Sequence, residues 1–487
     1  MNAAYAYKQV GDFGRAIEMY TTFIGSYGSE DTLNGLQKGD SKKKPPVVAD
    51  EKKYETRVAD LGNAFDALST TYYSFFNYQR AAETKEKVSS NTRFDDKKRK
   101  DAAADAMELY QALGQRDKML AQYKLLSSLH PAPEEQAKAD YQVADYDYRQ
   151  WSPQGGDSGS NRQSRIAAEQ ALMGFYSKEH ARAAAAKYSL EAAYQIAKMK
   201  KTYSDGGYHQ WYKTTIGEWE FIDRNVPATG KDGKKDSQIS PYADYAAEAE
   251  FTLLDEEIHE KFDYETNHHH FAGSVEDILG KYDKAGKNIA KGKYQVDAEE
   301  ADKYDKALEH IARTYPSLEW VQAAIARKGS LYDALRTGLY NTVAPALKYF
   351  TPQQERLLKT LENSGRDDLA QQADDLRSTV KEGWRSKKES ELAAMDQIMV
   401  RNYVTAVVLA RKYNVRNAWV ARAINRLAYF TDIIGDTNMR TYVTNSNDPT
   451  DTSKKLDYKD GMFVQQRPGM AAVPSPDANA EPIPVAP

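Results

Sequence analysis

Apolar residues recur at helical spacing from the start of the chain. In NAAYAYKQVGDFGRAIEMYTTFIGSYG, Ala3, Tyr7 and Val10 share one face, and Ala16, Ile17, Tyr20 and Phe23 share another. The spacing predicts two amphipathic helices folded back at Gly11-Asp12-Phe13. The stretch from Ala103 to Pro131, AADAMELYQALGQRDKMLAQYKLLSSLHP, repeats that plan. Tyr110 precedes Gly114 as Tyr7 precedes Gly11, and Tyr123 follows Gly114 as Tyr20 follows Gly11. Pro131 ends its second helix, where proline is suited to a turn into the next hairpin. Period-two alternation is scarce throughout, so an all-α chain is expected.

Farther along, small residues at i and i+2 followed by an aromatic at i+4 recur in AKADYQV from Ala137, AAAKYSL from Ala184 and AEAEFTL from Ala247. Such triplets let one helix approach another while the ring fills the groove between them. Polar stretches rich in Gly, Ser, Lys and Asp separate the patterns: LQKGDSKKKPPVVADE from Leu36, SPQGGDSGSNRQS from Ser152 and PATGKDGKKDSQIS from Pro227. These read as flexible loop insertions, too polar to bury an ordering surface. Thr351-Pro352-Gln353-Gln354 reads as a capped helix start, and long helices are expected to about Tyr413 with a break near Asn363-Ser364-Gly365.

One motif occurs twice with identical offsets. Trp320, Val321, Ala324, Ile325 and Arg327 in LEWVQAAIARKG match Trp419, Val420, Ala423, Ile424 and Arg426 in AWVARAINRL. A large ring four residues before an alanine is the pattern of one helix filling the space beside a small neighbour. The repeat therefore reads as a packing instruction, with Pro316 and Ser317 opening the first copy. Packing alone does not account for Arg327 and Arg426.

The hairpin segments resemble tetratricopeptide (TPR) repeats, helix-turn-helix units with large, small and aromatic slots in helix A, Gly at the turn, and small and aromatic slots in helix B. Met107, Tyr110, Gly114, Met119, Tyr123, Leu126 and Pro131 fill those slots, although Met119 and Leu126 are larger than the family prefers. Ala4, Tyr7, Gly11, Ala16, Tyr20 and Phe23 fill them in the first unit. Leu61, Gly62 and Phe65 in LGNAFDAL suggest a third unit whose turn is displaced to Asn77-Tyr78, followed by Ala81. The resemblance implies a superhelix of antiparallel helix hairpins with polar loop insertions. Because the first unit lacks the opening turn of its helix A, Met1 is expected to mark an engineered or processed start. Some members grip a partner's C-terminal carboxylate with Lys and Asn in successive A helices. Asn63 matches that role, whereas the equivalent slot in the later unit is Glu108.

The expected organisation is TPR-like repeats over 1–150, divergent helical repeats with long loops over 151–350, a long-helix region over 351–460 and a disordered Pro-rich tail over 461–487. With 487 residues, 41% hydrophobic, and a mean hydropathy of -0.76, the chain suits thin stacked layers better than one thick core. Lys and Arg total 67 against 71 Asp and Glu, a net charge of -4 with the signs interspersed. Nothing in that balance points to nucleic acid, and no apolar run reaches the length of a membrane span. Cysteine is absent, which removes disulfides and thiolate chemistry and fits an exported protein.

Candidate chemistry is sparse. His259 and the run His268 to His270 are the candidate metal ligands, but adjacent histidines point apart and no H-E-x-x-H occurs. Asp255, Glu256, Glu257 and Glu260 read as a solvated helix face. The aromatic stretches DYDYRQW from Asp145 and GGYHQWYK from Gly206 are expected to pack between helices. No nucleophile elbow, phosphate loop or dinucleotide fingerprint is present. No catalytic, cofactor-binding or metal residue is therefore assigned, and no cofactor is expected.

The repeated tryptophan motif, the A-x-A-x-[YF] helices and the lack of cysteine together resemble large envelope TPR proteins of myxobacteria. They are similar in particular to periplasmic components of the gliding-motility machinery. That resemblance implies a non-enzymatic, periplasmic scaffold or adaptor whose partners are other proteins of an envelope complex. The alternatives are an envelope enzyme or accessory acting on peptidoglycan, and a metal-binding module.

Overall fold

A computed structural model describes residues 1–39, 48–225, 241–283, 285 and 287–444. The protein is all-α, with single 3-10 turns and very short strands as the other regular elements among the described residues. It divides into two compact units, Met1–Val226 and Pro227–Pro487, each with its own core. The expected loop from Pro227 and the Pro-rich tail over 461–487 lie outside the described residues.

The first unit runs through α1 (Asn2–Gln9), α2 (Phe13–Tyr27), α3 (Glu30–Lys38), α4 (Glu51–Ser74), α5 (Tyr78–Ser90) and α6 (Asp96–Ala112). It continues through α7 (Arg116–Ser128), α8 (Pro133–Gln150), α9 (Gly159–Glu179), α10 (Ala186–Thr202) and α11 (Tyr208–Asn225). Apart from α2 and α3, helices adjacent in sequence pack on one another, and α2 also packs on α4. Each core is thin and shared by neighbours. Ala82, Ala106, Met107, Tyr110, Met119, Leu126 and Ala139 form one layer, and Tyr141, Leu172, Phe175, Ala192 and Ile196 form the next. The alanines let the axes approach, and the tyrosines fill the remaining space.

One turn geometry closes several of these hairpins. At the ends of α1 and α6, Gly11 (φ 80°) and Gly114 (φ 69°) adopt left-handed backbone. The next amide then reaches back, Asp12 N–H to Tyr7 C=O at 2.9 Å and Gln115 N–H to Tyr110 C=O at 2.9 Å. This satisfies carbonyls the helix would otherwise leave unpaired. The end of α4 makes the same turn with Phe76 (φ 59°) in the glycine position and Asn77 N–H bonded to Tyr72 C=O at 2.8 Å. The end of α10 does so with Ser204 (φ 56°) and Asp205 N–H bonded to Lys200 C=O at 3.0 Å.

Counting from this turn corrects the register of the third hairpin. The residues matching Ala4 and Tyr7, or Met107 and Tyr110, are Ser69 and Tyr72, two turns beyond Leu61 and Phe65. The turn itself is not displaced; Phe76 simply conceals it. Buried Ala81 matches Ala16 and Met119 as expected. The slot of Glu108 corresponds to Thr70, so Asn63 does not stand in an equivalent position.

The insertion from Ser152 is shorter and more ordered than expected, because α9 already begins at Gly159. Asn161 clasps it, accepting from the Ser152 amide (2.8 Å) and donating to the carbonyls of Ser152 (3.0 Å) and Gly156 (2.6 Å). A single amide side chain thereby supplies the ordering that buried area does not. Of the insertion from Leu36, residues 40–47 lie outside the described set.

The second unit contains α12 (Pro241–Lys261), α13 (Val275–Leu279), α14 (Lys293–Thr314), α15 (Leu318–Tyr340), α16 (Pro352–Glu362), α17 (Asp367–Tyr413), α18 (Ala418–Ile434) and α19 (Asp436–Thr444). Helix α15 is central, packing on α12, α14, α17 and α18. Short strands brace the connections. β1 (Gly273–Ser274) pairs in parallel with β4 (Leu347–Lys348), and β2 (Lys281–Tyr282) pairs antiparallel with β3 (Asn288–Ala290). Thr351 caps α16 in a reciprocal pair with Gln354, as its sequence predicts. The break before α17 falls at left-handed Gly365 (φ 74°).

Helix α17 is 47 residues long, about 70 Å at the rise of an α-helix. Its second half is buried through Met395, Met399, Val400, Tyr403, Val404 and Val407. Its first half buries Ala373 and Trp384 and is tied to α16 by Arg377, which contacts Glu355 (2.9 Å) and Glu362 (2.7 Å). No described helix is long and apolar enough to cross a membrane.

Left-handed backbone costs an L-residue roughly 1–2 kcal/mol, part of which glycine returns as unfolded-chain entropy. Ser204→Gly is therefore expected to stabilise the first unit by about 0.5 kcal/mol, and Gly114→Ala to destabilise it by about 1 kcal/mol. Urea unfolding of the two variants checks both signs.

Candidate functional site

The repeated tryptophan motif builds the most highly charged interior of the second unit. Ser317 caps α15, accepting from the Trp320 amide at 3.2 Å, and Asn417 caps α18, accepting from the Val420 amide at 2.9 Å. Both tryptophans are half-buried and close on one ring, Phe251 of α12, each at 5.3 Å between centroids. Ala324 and Ala423 are fully buried beside them, so the packing expectation describes the aromatic part of the motif.

Its arginines reach inward. Arg327 is 1% exposed and grips Asp263 with both terminal nitrogens (2.8 and 2.9 Å), Asp255 through Nε (2.7 Å) and Ser330 Oγ (2.8 Å). Arg426 grips Asp333 through Nε and Nη2, both at 2.6 Å, and Tyr403 donates to the same carboxylate at 3.2 Å. Arg336 pairs with Asp396 nearby on α17. Forked, two-point contacts suit guanidinium and carboxylate planes, and they offset the large cost of removing charges from water.

The two partners of Arg327 respond differently. Burial pushes Asp255 above the usual carboxylate range, helped by the neighbouring Asp263 charge and only partly opposed by Arg327. Burial acts on Asp263 too, but its two-point bond to Arg327 and a contact from His259 hold it below that range. Burial and the Asp333 charge drive the Tyr403 phenol well above its ordinary value. Asp263, Arg327, Asp333, Tyr403 and Arg426 line a cleft of about 190 Å³, together with Arg422, which contacts Glu265 at 3.4 Å. Every arginine in the cleft already holds a carboxylate, so the cluster acts as a clamp between helices.

The histidines disperse. His268 Nε2 meets the Glu260 carbonyl (2.7 Å), and His270 stacks on Tyr264 (4.8 Å). His269 turns inward to Asp297 (2.7 Å), while His259 meets Asp263 (3.1 Å). Among the described residues no three His, Asp or Glu side chains converge as metal ligands would. The acidic run is likewise divided: Asp255 serves Arg327, whereas Glu257 accepts from Lys261 (3.2 Å) and Tyr304 (3.3 Å). The aromatic stretches join helices. Tyr146 donates to the Gly114 carbonyl (2.6 Å), Trp151 donates to Tyr203 (3.0 Å), and Trp211 packs edge-on to Tyr176 (5.4 Å).

The larger concavity is in the first unit, a groove of about 570 Å³ between α4, α5 and α6. Tyr73, Tyr78, Leu109 and Leu113 form its apolar walls, and Thr70, Lys85, Asp105 and Glu108 its polar positions. The Lys85 ammonium is held between Asp66 (3.2 Å) and Asp105 (2.8 Å). Asn63 does not line the groove, and Thr70 and Glu108 fill the equivalent A-helix slots, so the arrangement is not a carboxylate clamp.

The repeated motif singles out Arg327 and Arg426 in the sequence, but nothing in that motif points to Asp263, Asp333 or Asp396. The available signal was charge inside apolar helix, as in SLYDALRTGL and AAMDQIMV, where burial demands a partner.

Asp263→Asn leaves Arg327 buried without its main counter-charge and is expected to cost about 3–5 kcal/mol at neutral pH. Asp255→Asn is expected to cost about 1 kcal/mol. The depressed Asp263 contributes stability above the unfolded carboxylate value near ~3.9 that is lost as pH falls through its folded value. The raised Asp255 favours the fold at low pH and loses that contribution as pH rises through its folded value. Urea midpoints from pH 3 to 7 are therefore expected to show a flatter acid limb for Asp263→Asn, and a relative gain just above pH ~4 for Asp255→Asn. Trp320→Ala is expected to lower stability by about 2 kcal/mol, less than a fully buried ring, read as a drop in unfolding midpoint. No protein-family model matches the chain, and no curated protein shows a match to it.

Proposed function

We propose that the protein is a non-enzymatic scaffold or adaptor that binds partner proteins, and that its first unit is a TPR-like superhelix of antiparallel hairpins. The observation that carries this reading is the groove between α4, α5 and α6, in whose apolar walls Tyr73 and Tyr78 remain 55% and 38% exposed. Aromatic side chains presented in a preformed concavity supply binding energy at low entropic cost. The turns shared by Gly11, Phe76 and Gly114 support the repeat reading, since each sets the same register between its two helices.

The resemblance to periplasmic TPR components of the myxobacterial gliding-motility machinery adds the setting. The scaffold would belong to an envelope complex and link motor subunits of the inner membrane to adhesion proteins of the outer membrane. The saturated charge clamp of the second unit suits that role, because an adaptor under load needs helices that hold their relative positions.

Cross-linking in the cells that make the protein, followed by identification of captured chains, tests both levels. Envelope proteins are the expected partners, and a purely cytosolic set overturns the envelope assignment. Tyr73→Ala is expected to leave the unfolding midpoint within about 0.5 kcal/mol of the parent. It should lose at least one captured partner. Unchanged capture removes the groove from the proposal.

A further inference from the structure

The turn between α4 and α5 breaks a local rule. Where two sister turns place glycine, this one holds Phe76 in left-handed backbone, and its ring is 79% exposed. Buried packing does not repay that conformation, and the turn instead presents the ring to solvent. Phe76 does not stand alone. Its ring lies 6.4 Å from Tyr78, which lies 5.2 Å from Tyr73 in the groove wall. Phe75, also more than half exposed, contacts Phe13 at 6.1 Å. One continuous aromatic edge thus runs from the hairpin tip into the groove, the kind of apolar surface that marks a protein contact.

Charge narrows the occupant. The groove lining carries two carboxylates, Asp105 and Glu108, against one ammonium, and Lys85 is spent on Asp66 and Asp105. Glu108 is 67% exposed, with its nearest cation, the half-exposed Lys138, 3.7 Å away. In the slots where a clamp for a chain-terminal carboxylate places Lys and Asn, this groove offers the neutral Thr70, whose hydroxyl donates to the Asp66 carbonyl, and Glu108, whose carboxylate repels an anion and attracts a cation.

We infer that the groove and its aromatic edge dock a peptide segment of a partner protein that carries apolar side chains beside a lysine or arginine. The apolar residues sit against Tyr73, Tyr78 and Phe76, and the basic residue sits over Glu108. The inference rests on the scaffold reading and specifies the chemistry its groove selects.

Two fluorescein-labelled synthetic peptides test it, alike in a Leu/Phe pattern, one with Lys and Arg and the other with Glu at the remaining positions. Anisotropy titration of the full chain at low salt is expected to show the basic peptide binding about tenfold more tightly, an advantage that shrinks as salt screens it. Glu108→Lys is expected to abolish or reverse the preference. Phe76→Gly, which relieves the backbone, is expected to weaken the basic peptide about tenfold while the unfolding midpoint stays or rises. Equal affinities, preference for the acidic peptide, no binding of either, or Phe76→Gly binding like the parent overturns the inference. So does sedimentation showing that the groove is filled by a second copy of the chain. Where the inference fails but Phe76→Gly chains still capture partners by cross-linking in cells, the scaffold reading stands. Capture of no partner by the parent chain defeats both.

Discussion

Each helix that turns back on itself must satisfy its last carbonyls, and one residue of left-handed backbone does so at junction after junction. Gly11, Phe76, Gly114 and Ser204 perform this in the first unit, and Asn414 does so between α17 and α18 in the second. The turn fixes which residues of the two helices face each other. In the first unit Tyr7, Tyr72 and Tyr110 stand four residues before it, and buried Ala16, Ala81 and Met119 five after it. Thin cores built from such pairs are shared between neighbours, as in repeat proteins generally. The groove between α4, α5 and α6 follows from the same register.

The second unit solves a harder problem. Its central helix α15 carries Arg327, Asp333 and Arg336 among apolar neighbours, and all three are buried. A buried charge is tolerated only when paired, so each fixes an element opposite it: Asp263 beyond α12, Arg426 on α18 and Asp396 on α17. The rings of Phe251, Trp320 and Trp419 close over one end of this clamp, with the Arg327 guanidinium 5.5 Å from the Trp419 ring centroid. Geometry that satisfies several charges at once admits few alternatives.

Periodicity made the all-α class readable, because a 3.6-residue stripe survives in a chain this polar. Glycine made the α1–α2 and α6–α7 turns readable. Asn414 is a residue type that often adopts left-handed backbone, whereas the turns at Phe76 and Ser204 were hidden, since nothing in those residue types announces it. That is why the register of α4 was read two turns early. The repeated Trp and Ala positions reported packing correctly, whereas the partners of Arg327 and Arg426 were not legible. Asp263 and Asp333 lie far from those arginines, or on the other helix, and only folding brings them together. The Ser152 insertion looked unstructured by composition, yet Asn161 orders it through three hydrogen bonds.

Helix α17 is one continuous rod held by two kinds of force. Beyond Met395 it is embedded in apolar side chains, while toward Asp367 the few buried residues, Ala373 and Trp384, are joined by Arg377 bridging Glu355 and Glu362. Salt screens the ionic end and leaves the apolar end nearly untouched, whereas cooling weakens the apolar end first. The hold of α16 on the rod therefore depends on ionic strength, whereas the hold of the core beyond Met395 does not.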